Sequence, residues 1–247
     1  MRPWLAIAAA TLVLASNALA QSPPAPSCAL PPQVQPRNFT CTDQGQTIGR
    51  PGDFEYYALV ISWSPTYCTS DAGRGPSGEF QCRSGNRFGW VVHGLWPQYD
   101  GRALRAPQFC RPTDAEVAGP LAAPVVRSTL CTLPGQRLQT CQWRKHGSCS
   151  DFATPAAYFT ATMAAFRRVT PPSLPTGRAL ARNDILDAWV RANPGLNRAA
   201  IALNCDGDQL EEVAICYEKD LTTPRSCTPP LRRCRAERIT LPAPSGS

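Results

Sequence analysis

This chain of 247 residues has few histidines, few lysines and no closely spaced pairs of cysteines. It contains two histidines and no C-x-x-C pair, whereas structural zinc sites prefer close pairs of cysteine or histidine ligands. No apolar run beyond the N-terminus reaches the roughly 20 residues that a membrane-spanning helix needs, and no internal repeat is visible. These absences argue against a zinc-stabilised fold, a membrane-spanning protein and a repeat protein, so we expect no metal and no membrane partner.

Residues 1–20 have the features of a secretory signal peptide. Arg2 supplies the positive charge, an apolar run occupies residues 4–15, and residues 18–20 read A-L-A, an A-x-A cleavage signal. The alternative is an uncleaved anchor, but the apolar run is too short to cross a bilayer. We therefore expect cleavage after Ala20 and a mature protein that is secreted or periplasmic.

All 12 cysteines lie beyond the predicted cleavage site. An even number of cysteines in an exported protein indicates disulfide bonds, because the compartments outside the cytosol are oxidising. We therefore expect every cysteine to be paired and no thiol to be free.

The chain is basic, with a formal net charge of +7 at pH 7. A basic surface favours polyanions such as nucleic acid, through electrostatic steering and the release of counterions. An arginine-rich proteome with an ordinary solvated surface would give the same charge. Charge alone leaves both interpretations open.

The sequence pattern predicts one domain between two loose segments. Residues 21–50 form a Pro-rich N-terminal segment, residues 51–240 form the domain, and residues 241–247 form a loose tail. Because strand and helix patterns do not alternate in a βαβ rhythm, we expect an α+β fold. The predicted strands are 54–64, 87–97, 210–219 and 236–242, and the predicted helices are 156–169 and 183–195, the latter with Asn183 as its N-cap.

The two histidines occupy similar local sequences. His93 lies in "WVVHGLWP" and His146 lies in "CQWRKHGSC", so each is followed by glycine and has a tryptophan within three residues. A single histidine is more often structural, but a pair can supply a general base and a general acid at once. Cleavage of RNA by its own 2′-hydroxyl needs that pair, together with a cation such as Lys145 for the charge that develops on phosphorus. The reaction needs no metal, and DNA lacks the nucleophile.

The segments "HGLWP" (93–97) and "WRKHGSC" (143–149) resemble the two active-site segments of the ribonuclease T2 family. The segments "YYALVISWSPTYC" and "NCDGDQLEEVAICYEKDL" extend the resemblance over roughly residues 54–235. The resemblance implies a disulfide-rich α+β fold with an antiparallel sheet flanked by helices. It also implies a secreted, monomeric endoribonuclease without a cofactor, which converts single-stranded RNA to 2′,3′-cyclic phosphate and then 3′-phosphate ends.

The resemblance also implies roles for individual residues. His93 corresponds to the general acid of the cyclising step, His146 to the general base, and Lys145 to the lysine that stabilises the transition state. Lysine is a compact point charge and arginine a planar fork, so the two do not exchange freely at such a place. Trp96 corresponds to the residue that stacks on a substrate base, and Trp143 is a second candidate for substrate binding.

Two positions depart from the family pattern His-Glu-Trp-x-Lys-His-Gly. Cys141 replaces the first histidine, and Gln142 replaces the glutamate and becomes the candidate catalytic residue there. Glutamine can donate and accept hydrogen bonds but cannot exchange a proton at neutral pH. Two interpretations follow: an active enzyme in which Gln142 donates to a phosphate oxygen, or a weakened relative kept for RNA binding or cytotoxicity. A third departure is Gln98, which stands at a position that is often acidic in the family. For this reason we predict no particular base preference.

Four disulfides follow from the resemblance, and two more remain by elimination and proximity along the chain without support from the family. The implied pairs are Cys68–Cys82, Cys110–Cys149, Cys205–Cys234 and Cys216–Cys227. The remaining pairs are Cys28–Cys41 and Cys131–Cys141.

Overall fold

The computed structural model describes residues 28–41, 46–101, 105–111, 115–228, 231 and 234–244. The predicted signal peptide and the last three residues of the predicted tail lie outside these residues. Within them, no helix is long and apolar enough to cross a membrane. A mostly antiparallel sheet is flanked by helices, which confirms the predicted α+β class.

Six strands form one sheet in the order β2-β1-β5-β6-β3, and β4 also pairs with β5. All of the pairings are antiparallel except a single parallel contact between β5 and β6. The strands are β1 (Tyr56–Trp63), β2 (Trp90–Gln98), β3 (Ala179–Ala181), β4 (Ile201–Asp206), β5 (Gln209–Tyr217) and β6 (Arg238–Thr240).

The two faces of the sheet differ in the size of the side chains that they carry. All eight residues of β1 are buried, and alternate residues point to opposite faces. Leu59 and Ile61 face the main core, where the helices pack. Val60 faces the other side, together with the small residues Ala202 and Ala214. These three residues also line a cleft, which the short side chains leave open over this face.

The described part of the chain contains seven α-helices, and short 3-10 turns connect some of them. The prediction that Asn183 caps the helix near residue 183 is wrong, because β3 runs directly into that helix and Ala181 occupies the N-cap. The α-helices are α1 (Ser64–Thr69), α2 (Asp71–Arg74), α3 (Ala115–Ala118), α4 (Ala123–Thr129), α5 (Gln136–Lys145), α6 (Pro155–Arg167) and α7 (Arg182–Ala192). The 3-10 turns are Pro76–Gly78, Gly147–Cys149 and Arg198–Ala200, and Glu79–Arg83 forms a π-helical turn.

All 12 cysteines are paired, and none is free. Four of the disulfides join the pairs that the family resemblance implies: Cys68–Cys82, Cys110–Cys149, Cys205–Cys234 and Cys216–Cys227.

The other two predicted pairs, Cys28–Cys41 and Cys131–Cys141, are wrong. The structure joins Cys28 to Cys131 and Cys41 to Cys141, over sequence separations of 103 and 100 residues. Proximity along the chain misled the prediction, because residues 28–41 do not fold back on themselves but run across the domain.

Residues 28–41, which we call the N-terminal strap, are therefore fastened to the domain rather than loose. The guanidinium of Arg144 in α5 donates to the carbonyl of Phe39, and that of Arg127 donates to the carbonyl of Pro31 at 2.7 Å. Cys41 is 4% exposed and lines the cleft. The strap thus contributes to the wall of the cleft beside α5.

The start of the predicted loose tail is also packed. Leu241 is fully buried, and its carbonyl accepts a hydrogen bond from the amide of Gly177 at 2.8 Å. The indole of Trp63 donates to the carbonyl of Pro242 at 2.8 Å. The predicted boundary at residue 240 is therefore wrong by at least two residues, since these contacts continue the domain.

Candidate active site

His93 lies at a β-bulge in the middle of β2. Val60 of β1 pairs with Gly94 and Ile61 pairs with Val92, so His93 has no partner across the ladder. A bulge adds one residue to a strand and changes the direction in which a side chain points. His93 lines the cleft, and its side chain is 30% exposed.

The Nδ1 atom of His93 is held by the neighbouring strands. It forms a short hydrogen bond and ion pair with Oε1 of Glu212 on β5, and the hydroxyl of Ser62 on β1 lies 3.4 Å from it. The other carboxylate oxygen of Glu212 accepts a hydrogen bond from the side-chain amide of Asn204 on β4 at 3.0 Å. With Nδ1 occupied in this way, Nε2 is the ring nitrogen left for substrate.

His146 lies at the other wall of the cleft, as the C-cap of α5. Its backbone amide donates to the carbonyl of Gln142 at 3.0 Å, and the residue is 6% exposed. Burial lowers the pKa of His146 well below its ordinary 6.5, and the charges of Lys145 and His93 lower it further. Its Nδ1 atom is buried without a hydrogen-bond partner among the described residues. His146 is therefore an imidazole kept neutral, as a general base must be.

Trp96 lies between the two histidines. Its ring stacks on His146 with 4.8 Å between centroids and an interplanar angle of 16°. It meets His93 edge to face at 5.3 Å. One face of the indole is thus covered by His146, and base stacking on Trp96 would use the opposite face.

The side-chain amide of Gln142 is oriented by the same tryptophan. The indole N–H of Trp96 donates to Oε1 of Gln142 at 2.7 Å. Because an indole nitrogen can only donate, Oε1 must face it and the NH₂ group must point away. Gln142 lines the cleft, so this orientation makes its NH₂ group available as a hydrogen-bond donor there.

The glycine that follows each histidine is required by a close approach. A Cβ atom on Gly94 would lie 2.1 Å from Oε1 of Gln142 and 2.7 Å from the indole nitrogen of Trp96. A Cβ atom on Gly147 would lie 2.2 Å from the ring of Trp143. No larger residue fits at either position without moving a neighbour, which explains the two H-G pairs in the sequence.

Lys145 ends α5 and lines the same cleft of about 840 Å³ as the two histidines. Its carbonyl accepts a hydrogen bond from the backbone amide of Phe109 at 2.9 Å, and the Cys110–Cys149 disulfide joins the same two segments. Phe109 has a φ of 51°, which is uncommon for a residue with a side chain. The end of α5 is therefore held in place by the loop at 105–111.

The structure does not support a substrate-binding role for Trp143. This residue is 1% exposed, belongs to the main core, and packs against Tyr158 with 5.7 Å between ring centroids. Neither face of its ring is open to a base. Cys141 does line the cleft, but as half of the disulfide with Cys41, so it cannot replace a phosphate-binding histidine.

The sequence analysis missed Ser62, Asn204 and Glu212. One signal was available: Glu212 lies in the predicted strand 210–219 on the same face as the apolar residues Ala214 and Cys216, and it is 7% exposed. A buried carboxylate needs a partner, but the pattern does not say which partner that is.

No group of three or more His, Cys, Asp or Glu among the described residues could hold a metal ion. The cleft offers proton donors and acceptors, a lysine and an aromatic ring. Among known protein families, the profile of the Ribonuclease T2 family matches residues 54–227. The chain belongs to the ribonuclease T2 family. Family membership and relatives named as ribonucleases support an endoribonuclease activity.

A curated relative is the "Probable ribonuclease" of Haemophilus influenzae, which is 32% identical over 182 residues. The match covers 71% of this chain and 61% of that protein. Among solved structures, the RNase-related protein from Calystegia sepium is similar with a TM-score of 0.58 and 22% identity, over 76% of this chain and 97% of that one. RNase NT in complex with 5′-AMP is similar with a TM-score of 0.56 and 21% identity, over 78% and 99%. At these identities the structural matches establish the fold.

Proposed function

We propose that the mature protein is a metal-independent endoribonuclease that cleaves single-stranded RNA by transphosphorylation. The observation that carries the proposal is the placement of two histidines with opposite surroundings on either side of Trp96 in one cleft. His93 contacts a carboxylate, whereas His146 is buried beside Lys145. Environments that differ in this way separate an acid from a base.

In the first step, the neutral ring of His146 accepts the proton of the 2′-hydroxyl. The 2′-oxygen forms a bond to phosphorus, the bond from phosphorus to the 5′-oxygen breaks, and Nε2 of His93 gives its proton to that oxygen. Lys145 and the NH₂ group of Gln142 offset the negative charge on the phosphoryl oxygens. The product is a 2′,3′-cyclic phosphate, and attack by water with the two histidines exchanging roles gives the 3′-phosphate.

The substrate class follows from the same groups. DNA has no 2′-hydroxyl to attack phosphorus, and a duplex would hide the bases from an aromatic ring. The face of Trp96 opposite His146 is the one that would stack on a base, a contact worth about 1–3 kcal/mol per base. The solved relative RNase NT carries 5′-AMP, which supports a nucleotide-binding cleft in this fold.

The proposed location is outside the cytosol, either secreted or periplasmic. Six disulfides require an oxidising compartment, and the N-terminal sequence has the pattern of a cleaved signal. We also propose that the protein is a monomer.

The test is an incubation of the purified mature protein with single-stranded RNA in excess chelator. We expect 2′,3′-cyclic phosphate ends to appear before 3′-phosphate ends. RNA of the same sequence with 2′-O-methyl groups is the matched control and should stay intact. Absolute dependence on magnesium, or equal cleavage of the methylated strand, would overturn the mechanism.

A second candidate is a weakened relative that binds RNA without rapid turnover. It is favoured by two substitutions at one wall of the cleft: Cys141 is locked to Cys41, and Gln142 carries no charge. Tight RNA binding by a wild-type protein that leaves the strand uncut in the same assay would select this candidate.

A further inference from the structure

We propose that Glu212 is a positioning residue for His93, holding its Nδ1–H so that Nε2 faces the leaving oxygen as a charged acid. The inference rests on the proposed function, since it assigns His93 the role of acid in RNA cleavage. It concerns a residue on β5, far along the chain from either histidine segment.

The support is a row of four polar side chains that crosses the sheet. Ser62 of β1 pairs directly with Glu212 of β5, and Glu212 pairs directly with Asn204 of β4. His93 joins the row from β2, where the bulge leaves it without a backbone partner. Four adjacent strands thus place one polar side chain each along a single line, on the face that carries the cleft.

Asn204 fixes Glu212 through a second bulge. The register between β4 and β5 shifts after Asn204, so that Glu211 and Glu212 both reach its amide. The amide donates to one carboxylate oxygen of each, at 3.0 Å in both cases. Glu212 is therefore held from one oxygen by Asn204 and meets His93 with the other.

The hydrogen bonds of Glu212 determine which ring nitrogen of His93 carries a proton. An ionised carboxylate can only accept hydrogen bonds; one oxygen of Glu212 accepts from the amide of Asn204, and the other meets Nδ1 of His93. Nδ1 of His93 must then carry a hydrogen, which selects one tautomer and leaves Nε2 for the substrate. The same logic lets the buried aspartate of a serine protease orient its histidine.

Charge gives Glu212 a second effect. An acid must start the reaction protonated, and a carboxylate at one ring nitrogen stabilises the imidazolium. The charged and titratable groups around His93 are Glu212 on β5, Glu211 through Asn204, and Lys145 and His146 from α5. His146 is kept neutral and the charge of Lys145 opposes a positive charge on His93, so Glu212 is a neighbour in direct contact that favours it.

Proton balance during cleavage follows from this arrangement. The proton on Nε2 of His93 moves to the 5′-oxygen as the bond from phosphorus to that oxygen breaks. The proton on Nδ1 stays in the hydrogen bond with Glu212, so the ring becomes a neutral imidazole. It is then ready to take a proton from water in the hydrolysis of the cyclic phosphate.

The experiment compares two substrates that differ in their need for an acid. A dinucleotide releases an alkoxide, which must be protonated, whereas uridine 3′-(4-nitrophenyl phosphate) releases a phenolate that is stable without a proton. For Glu212→Gln we expect kcat on the dinucleotide to fall about 10- to 100-fold with little change in KM. On the aryl ester the variant should retain most of its activity, because the acid is not needed there.

Glu211→Gln is the matched control, because it removes a neighbouring carboxylate on the same Asn204 amide. It should resemble wild type on both substrates.

One result would overturn the inference: an equal loss on the dinucleotide and the aryl ester at an unchanged melting temperature. If Glu212→Gln does not fold, Asn204→Leu carries the test, since it frees one oxygen of Glu212 and should give a smaller loss with the same substrate pattern. A wild-type protein that cleaves the aryl ester but no RNA would contradict the proposed function instead.

Discussion

His93 and His146 have almost the same local sequence but opposite surroundings. His93 lies on a sheet bulge, with a side chain that is 30% exposed and in contact with Glu212. His146 ends a helix, is 6% exposed, and lies beside Lys145. The difference teaches that the surrounding elements, and not the shared H-G context, set the chemical environment of each histidine.

The largest expected effects come from removing the histidines themselves. His93→Ala and His146→Ala should each lower kcat/KM on a dinucleotide by about 10²–10⁴-fold, the usual worth of one positioned acid or base. On an aryl ester, His93→Ala should recover most of its activity, whereas His146→Ala should stay inactive. Steady-state kinetics on the two substrates measure both values.

Both histidine variants should keep the fold, because the disulfides and the main core remain. We expect a lower melting temperature, since His146→Ala removes a buried ring that stacks on Trp96 and His93→Ala removes a partner of the buried Glu212. A recovery by His146→Ala on the aryl ester, with none by His93→Ala, would reverse the assignment of acid and base.

The next effect concerns Lys145, where the chain offers its other lysine as a matched control. Lys145→Ala should lower kcat by about 10²–10³-fold, the usual loss for one donor to a charge that develops in the transition state. Lys145→Arg should retain only part of the wild-type kcat, because a planar guanidinium does not present a point charge. Lys219→Arg should behave like wild type, since Lys219 contacts Asp151 at 3.6 Å and the ring of Phe54. Full activity in Lys145→Arg would show that any cation suffices.

A third prediction concerns the acid limb of the pH profile. The lowered pKa of His146 keeps the base neutral as pH falls below 6.5, so kcat/KM should decline only well below that value. Because the charge of Lys145 contributes to the shift, Lys145→Met should move the acid limb to higher pH. Lys219→Met should leave it unchanged. An acid limb at or above pH 6.5 in wild type would argue against a buried base.

Much of the site could be predicted because its chemistry is local in sequence. The segments around His93 and His146 carry both histidines and the lysine that line the cleft, and the family resemblance supplied four cysteine pairs. Glu212 could not be assigned to His93, because they are 119 residues apart and the contact depends on β1 lying between β2 and β5. Strand order is a property of the whole sheet, and no short pattern encodes it.

Two errors have simpler physical causes. The strap disulfides were paired by closeness along the chain, but an extended segment can cross a domain before it meets its partner. Trp143 was assigned to substrate because it sits among site residues in the sequence. On α5, Gln142, Lys145 and His146 share a face at spacings of three and four, and Trp143 points into the core.

The smallest expected effect is that of Gln142→Glu, which restores the residue usual in the family. The new carboxylate can still accept from the indole of Trp96, so the orientation should survive. Its second oxygen replaces an NH₂ donor in the cleft and would repel phosphate, and Cys141, locked to Cys41, supplies no cation to offset it. We expect kcat/KM on a dinucleotide to fall about 3- to 10-fold through a higher KM, the worth of one hydrogen bond. The added charge should also move the acid limb to higher pH, because it favours protonation of His146.

Gln33→Glu, an exposed change in the strap, controls for net charge and should match wild type. A gain in kcat/KM from acidic to neutral pH would show that this position acts through a proton or a charge, and that glutamine here is a loss rather than a working donor.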